Sequence, residues 1–378
     1  MPTSGVDLNN ETTLDLWKTT LSSYDWENKD MEYLFPQHAF LVVDQIFTKD
    51  KKQMDAGTQL SREIIYREGG SVTWGNPGAV RTRSTMDVVT TISAPWATAW
   101  DQHSILAAEL RRNRGRSKLK NLATTRRQGC MMNFATSLDS RMWGMPSTAN
   151  NVYPYTIPYY LPPITGAQVT AGTGAGAHQG SNPSGFSTTM GLDASSDTYS
   201  RWRSYNGTWS NSGAEITEED LLRMGRMFRR LQFKAPTLVD DLRSPKFSKF
   251  RCYADETIVD AYSAAMRRLN ADIGIDPTRA YGAGMSASGD PTFKGHPIQW
   301  TEPLDTADAT YRGANPLYFV NADYLFPVFE EGCYFAEDTP MRSVDQPDLF
   351  TTWVELGFQT MCENRQLLGG VLSYVAAS

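Results

Sequence analysis

The sequence predicts an α+β fold, and three observations carry that prediction. A β-rich stretch over 60–93 turns back on itself and leads into helical periodicity. Strand-like and helical runs alternate over 217–321, and the stretch 329–375 is dense in apolar strand formers.

The hairpin organises the rest. Segments 60–67 (LSREIIYR) and 79–93 (AVRTRSTMDVVTTIS) concentrate residues that fit a pleated surface. Between them, 68–78 (EGGSVTWGNPG) holds the Gly, Asn and Pro of a chain reversal. Trp74 and Asn76 sit at this tip. A large exposed aromatic there points to contact with another molecule, whereas the plainer alternative folds the hairpin onto its own domain.

Helical spacing follows. Ile105, Leu106 and Leu110 predict a helix over 97–112, closed by Glu109, Arg111 and Arg112. Asn113, Arg114 and Gly115 form a stop, and Ser117 can cap a second helix running to about Trp143. Leu119, Leu122, Met131, Phe134, Leu138 and Met142 lie on one stripe of this spine, which would be about 40 Å long.

Residues 1–50 read as an arm. Leu14, Trp17 and Leu21 share one face of a short helix, and the aromatic-rich run 32–47, with Phe35 and Phe40, is interrupted by Pro36. Docking on a neighbouring surface and covering the chain's own core are both open for this segment. The Tyr/Pro run 151–163 predicts extended loop, and the Gly/Ser/Thr-rich stretch 165–195 a long surface excursion. Residues 199–209 (YSRWRSYNGTW) mix aromatics with arginines, as a sugar or base site or as a packed anchor for the loop. Thr217 then caps a helix whose first turn is acidic, through Leu231. A strand at 249–253, a helix over 255–269, and strands near 296–300, 316–321, 350–362 and 367–375 complete the pattern.

Composition narrows the function. The 378 residues, 40% hydrophobic, suffice for two or three structural units. A formal charge of -6 excludes a wholly basic nucleic-acid binder. No apolar run is long enough for a membrane span, and the N-terminus has no signal-peptide pattern. The four cysteines lack metal spacing and read as reduced thiols. His38, His103, His178 and His296 are far apart, and neither a nucleophile elbow nor a phosphate loop is formed, so no catalytic set, cofactor or metal is expected. Within this acidic chain, Arg111, Arg112, Arg114, Arg116, Lys118, Lys120, Arg126 and Arg127 cluster. They would contact phosphate, or form a solvated helix face or ion pairs with acidic neighbours.

Several motifs fall in a telling order: Asn182-Pro183-Ser184-Gly185-Phe186; Gly191-Leu192-Asp193 leading to Tyr199-Ser200-Arg201-Trp202; the capped helix over 217–231; Gly295-His296-Pro297-Ile298; and Asp345-Gln346-Pro347-Asp348. With the arm, hairpin and spine before them, they resemble the major capsid proteins of tailed bacteriophages, the HK ninety-seven-like fold. The resemblance implies an N-terminal arm over 1–48, an extended hairpin loop over 49–97, a peripheral domain from 98–214 with 331–378, and an axial domain over 215–330. It further implies a non-enzymatic shell protein that self-assembles into hexamers and pentamers around double-stranded DNA, built in the host cytoplasm and resident in the virion. Copies of itself, a portal, a separate scaffolding protein and non-specifically held DNA are the implied partners. Trp74, Asn76, Trp17, Phe35 and Phe40 become candidates for contacts between subunits, and the basic cluster over 111–127 would face the lumen or pair with a neighbour's acids. The alternatives are a carbohydrate-binding or decoration protein built on the 199–209 aromatics, and an unrecognised cytoplasmic enzyme.

Overall fold

A computed structural model describes residues 42, 52–54, 57–69, 72, 74–76, 78, 86–112, 122–146, 152–232, 249–273, 284–285, 290–342 and 347–375. The expected arm, with Trp17, Phe35 and Phe40, lies outside the described residues apart from Val42. In chain order the first elements are β1 (Lys52–Met54), β2 (Gln59–Ile65), β3 (Val89–Pro95), β4 (Ala97–Leu106), α1 (Ala107–Arg112) and α2 (Leu122–Arg141). Next come α3 (Ile157–Tyr160), β5 (Ala177–Gly180), β6 (Ser204–Thr208), α4 (Glu218–Arg230), β7 (Phe250–Ala254) and α5 (Glu256–Ile273). The chain closes with β8 (Gly284–Met285), β9 (Pro291–Phe293), β10 (His296–Trp300), β11 (Ala314–Asn321), β12 (Leu325–Glu337), β13 (Met341–Arg342), β14 (Leu349–Cys362), α6 (Arg365–Leu368) and β15 (Gly369–Tyr374). The described residues fall into two compact units, one within 100–136 and 335–355, the other within 38–99, 137–334 and 356–378.

The larger unit is built on an eight-stranded sheet of order β5-β6-β15-β11-β7-β10-β9-β8. β11 pairs antiparallel with both β15 and β7, setting Phe319 beside Cys252 and Tyr318 beside Tyr253. Because side chains alternate along a strand, this register sorts two buried faces. Cys252, Ala254, Leu317 and Phe319 join Met224, Met227 and Phe228 of α4 and Ile258, Tyr262 and Ala265 of α5 in one apolar cluster. Tyr253 and Tyr318 instead meet Trp143, with ring centroids 5.5 and 5.4 Å away. α4 starts as expected: the Thr217 hydroxyl accepts from the Asp220 amide, and the Asp220 carboxylate accepts from the Thr217 amide at 3.0 Å.

In the smaller unit, α2 faces strand residues of β4 and β12. Asn133 Nδ2 donates to Asp101 Oδ2 at 2.8 Å, and Phe134 meets Phe335 edge-to-face at 5.3 Å. β13 pairs antiparallel with β14, Met341 opposite Thr351. α2 runs where the spine is expected; its predicted start at Ser117 lies outside the described residues.

Three expectations need correction. Residues 97–106 are a strand, β4, not a helix; only 107–112 are helical. Three apolar residues are a thin helical signal, while exposed Thr98, Trp100 and Gln102 alternate with more buried Ala97, Ala99 and Asp101, the period of a strand paired to β14. Of the second hairpin strand expected over 79–93, residues 86–88 lie outside the ladder and the strand runs Val89–Pro95, while 79–85 lie outside the described residues. Beside it the Tyr66 amide donates to the Val88 carbonyl (3.1 Å), and the Asp87 carbonyl accepts from Tyr66 Oη (3.0 Å) and Arg67 Nε (2.6 Å), so side chains join the main chain in closing the strand's end. The stretches 151–163 and 165–195 are folded rather than loose. Ile157, Tyr159, Tyr160, Met190 and Leu192 are buried, and β5 pairs with β6. Small residues here permit close approach: Gly176, at φ +100°, leaves no room for a Cβ, which would stand 2.3 Å from the Tyr205 hydroxyl. Asn182 ties the following turns, donating to Asp193 Oδ1 at 2.7 Å and accepting from the Ala194 amide at 3.0 Å.

Close packing makes two glycines opposite cases. A Cβ on Gly369 would lie 1.9 Å from the Phe319 carbonyl oxygen, so Gly369→Ala should destabilise the larger unit by about 2–3 kcal/mol in urea melts. Gly129 in α2 has open space, so Gly129→Ala should stabilise by about 0.5–1 kcal/mol. Equal effects would contradict this packing.

Asp255 caps α5, its Oδ1 accepting from the Ile258 amide at 3.1 Å. Burial raises its carboxyl to about 6, against the lowering effects of that amide and of Arg312, with Asp305 adding a further rise. A raised carboxyl favours the folded state below its unfolded value and loses that contribution as pH climbs through about 6. Asp255→Asn, which can still cap, should therefore gain stability over wild type by about 1–3 kcal/mol above pH 7 and none near pH 4. Thermal melts across that range check the sign; a constant difference would refute it.

Candidate functional site

The hairpin is anchored at one end and uncovered at the other. β2 and β3 run antiparallel from Gln59–Pro95 at the base to Ile65–Val89 at the outer end. At the base, Leu60, Ile92 and Ala94 are buried, the Ser93 amide donates to the Met190 carbonyl (3.1 Å), and Gln359 Nε2 donates to the Pro95 carbonyl (2.7 Å). Further out, polar and ring contacts steady one side: Arg201 pairs with Glu68 at 2.8 Å, and Tyr66 meets Tyr199 at 5.2 Å. At this end and beyond it, apolar residues face water. Ile65 is 75% exposed, Val72 85% and Trp74 95%, with Met86 and Val89 also exposed. Asn76 is exposed beside Trp74. Burying a large apolar side chain contributes about 1.5–3 kcal/mol, so such a surface is poised to be covered.

The basic cluster is different in kind. Arg126 grips Glu109 with two hydrogen bonds of 2.9 Å and also donates to the Ser104 carbonyl at 2.7 Å. Arg127 pairs with Glu337 at 2.6 Å. These two charges are matched inside the chain. Arg111 and Arg112 lie on α1, and Arg114, Arg116, Lys118 and Lys120 lie outside the described residues.

The 199–209 aromatics form an anchor. Trp202, Tyr205 and Trp209 are buried, and the indoles donate to the Thr189 (3.2 Å) and Asn315 (2.7 Å) carbonyls. These rings offer no open stacking face to a sugar. Arg365, which sequence reasoning missed, completes this anchor. Fully buried, it donates to the carbonyls of Tyr160 and Ser181 at 2.6 Å, to that of Trp202 at 3.4 Å, and to Thr189 Oγ1 at 3.3 Å. Burial lowers its pKa to about 10, which still leaves it charged at neutral pH. No local pattern in the sequence marks that role.

The described residues contain no group of three His, Cys, Asp or Glu side chains placed to hold a metal ion. Burial, and then Asp101, push the Cys130 thiol up to about 11, and burial raises Cys252 and Cys362 further.

No family model and no curated protein sequence matches the chain. Solved structures do. The capsid asymmetric unit of cyanophage A-1(L) is 14% identical, covering 93% of this chain and 97% of its own, with a TM-score of 0.59. The capsid of a native GTA particle is 9% identical over 95% of this chain and 99% of its own, at 0.53. The capsid of Myoviridae phage XM1 is 9% identical over 94% and 99%, also at 0.53. The fold is thus that of shell-building proteins. More narrowly, it is the α+β capsid fold of tailed phages, shared along nearly the whole chain.

If Arg126 works within the chain, Arg126→Glu should cost about 1–2 kcal/mol of stability, and adding Glu109→Arg should recover most of it. A double-mutant cycle read by urea unfolding with no coupling would contradict the pairing.

Proposed function

We propose that this chain is the major capsid protein of a tailed bacteriophage. It is a structural protein, assembling into hexamers and pentamers of an icosahedral shell that encloses double-stranded DNA. The observation that carries this reading is the combination of a capsid fold with a hairpin whose outer end, around Trp74, lies in water. A shell subunit needs several surfaces that close with copies under symmetry, and a protruding hairpin supplies one. Contacts of about 800 Å² per partner, many times repeated, make a durable shell from individually reversible steps. In this reading residues 1–48 are the arm, 49–97 the extended loop, 98–214 with 331–378 the peripheral domain, and 215–330 the axial domain. Trp74 and Asn76, with Trp17, Phe35 and Phe40 of the arm, make contacts between subunits. A portal and a scaffolding protein complete assembly in the host cytoplasm, and the product resides in the virion.

Trp74→Ser tests the reading. An exposed substitution should leave the thermal midpoint of the dispersed chain within the equivalent of about 0.5 kcal/mol. Yet it should lower the yield of shells or capsomers, scored by negative-stain microscopy after co-expression with the phage's own scaffold. Wild-type yield from the variant would remove the hairpin from the assembly surface.

A further inference from the structure

Among the described residues, a second group of cations lies on α4 and beside it. α4 is polarised along its length, with Glu218, Glu219 and Asp220 in its first turn and Arg223, Arg226, Arg229 and Arg230 in its later turns. Arg223 is matched by Glu219 at 2.6 Å. Among the described residues, Arg226 reaches a neutral group, the Ala175 carbonyl at 3.3 Å. Arg229 and Arg230 have no acidic partner among the described residues, and all three are exposed.

A fourth cation comes from another element. Lys294, in the turn between β9 and β10, has φ +49°, a conformation non-glycine residues seldom take. The turn sets its ammonium 5.0 Å from the centre of the Phe228 ring, against α4. Neighbours register the accumulated charge. Burial and then the Arg229 charge lower the Lys294 pKa, and burial and then the Arg230 charge lower that of His178.

Favourable interaction with the helix dipole accounts for cations in the last turn, but not for Arg226 farther back or for Lys294 on a separate strand turn. Like charges held together raise the free energy of the isolated chain, and an anion relieves that cost. Guanidinium forks match phosphate oxygens with two parallel hydrogen bonds, and several on a convex helix suit a polyanion better than one small ion.

We propose that the exposed face formed by Arg226, Arg229 and Arg230 on α4, with Lys294 beside them, binds the phosphate backbone of the DNA enclosed by the shell. This rests on the capsid reading above and names the surface that reading leaves open. Four cations give weak, sequence-independent and salt-sensitive attachment, which holds a genome without preventing its release.

The test is fluorescence anisotropy of a short DNA duplex of arbitrary sequence with the full chain, from about 50 to about 200 mM salt. Each neutralised phosphate contributes about 0.9 to the log–log salt slope, so Arg229→Gln with Arg230→Gln should lower it by about 2 and weaken low-salt binding about tenfold. Lys294→Gln, on another element, should lower it by about 1. Circular dichroism confirms folding of each variant. Unchanged slopes overturn the proposal, as does absence of DNA binding by the wild type. So does loss of shell formation with unaltered DNA binding, which would assign the face to a second copy's acids. Particles are scored separately by microscopy: binding that depends on these residues in a chain that never forms shells supports the face and removes the capsid reading instead.

Discussion

Apolar surface left in water at the far end of an anchored hairpin is the constraint on which the account depends. A chain free to collapse on itself would bring Trp74, Val72 and Ile65 against its own core, since each would gain free energy by burial. Here the base of the hairpin is held by Leu60, Ile92 and Ala94 and by main-chain bonds to Met190 and from Gln359, while the outer apolar residues stay exposed. The fixed base removes the freedom to fold back, and the exposed end keeps its capacity to associate. In the proposed reading, that combination suits a subunit that associates with its copies.

The rest of the larger unit reads as the rigid mount this arrangement requires. Its sheet is covered on both faces, by α4 and α5 through the Met227, Phe228 and Ile258 cluster and by Trp143 against Tyr253 and Tyr318. Arg365 gathers the carbonyls of Tyr160, Ser181 and Trp202 around one buried charge, so three separate segments share a single tether. The aromatic segment that on composition alone could serve a sugar is spent on this tether. Removing that buried charge would leave several acceptors without donors, a far greater loss than removing an exposed one.

Much of this was legible in sequence, for identifiable reasons. The hairpin and its tip announce themselves by strand formers flanking a Gly/Asn/Pro turn, and α4 by a hydroxyl cap before three acids. The order of motifs is what led to the capsid fold, although no single one is specific. What sequence reasoning missed depends on distant partners. β4 is a strand because β14 pairs with it, which outweighs a helical spacing carried by three residues. The Gly-rich stretch over 165–195 resembles a flexible linker in composition, yet Gly176 is there because Tyr205 occupies the space a Cβ would need. Charge clustering along the chain says little about neutralisation in space: Arg127 meets Glu337, 210 positions away, while Arg229 and Arg230, without an acidic partner among the described residues, sit in an ordinary-looking amphipathic helix.

Amide hydrogen exchange over residues 60–95, compared between dispersed chains and assembled particles, tests the central claim most directly. The account predicts that peptides covering the outer hairpin around Trp74 gain strong protection on assembly, while the already buried base changes little. Particles that form with the outer hairpin exchanging as fast as in the free chain would contradict it.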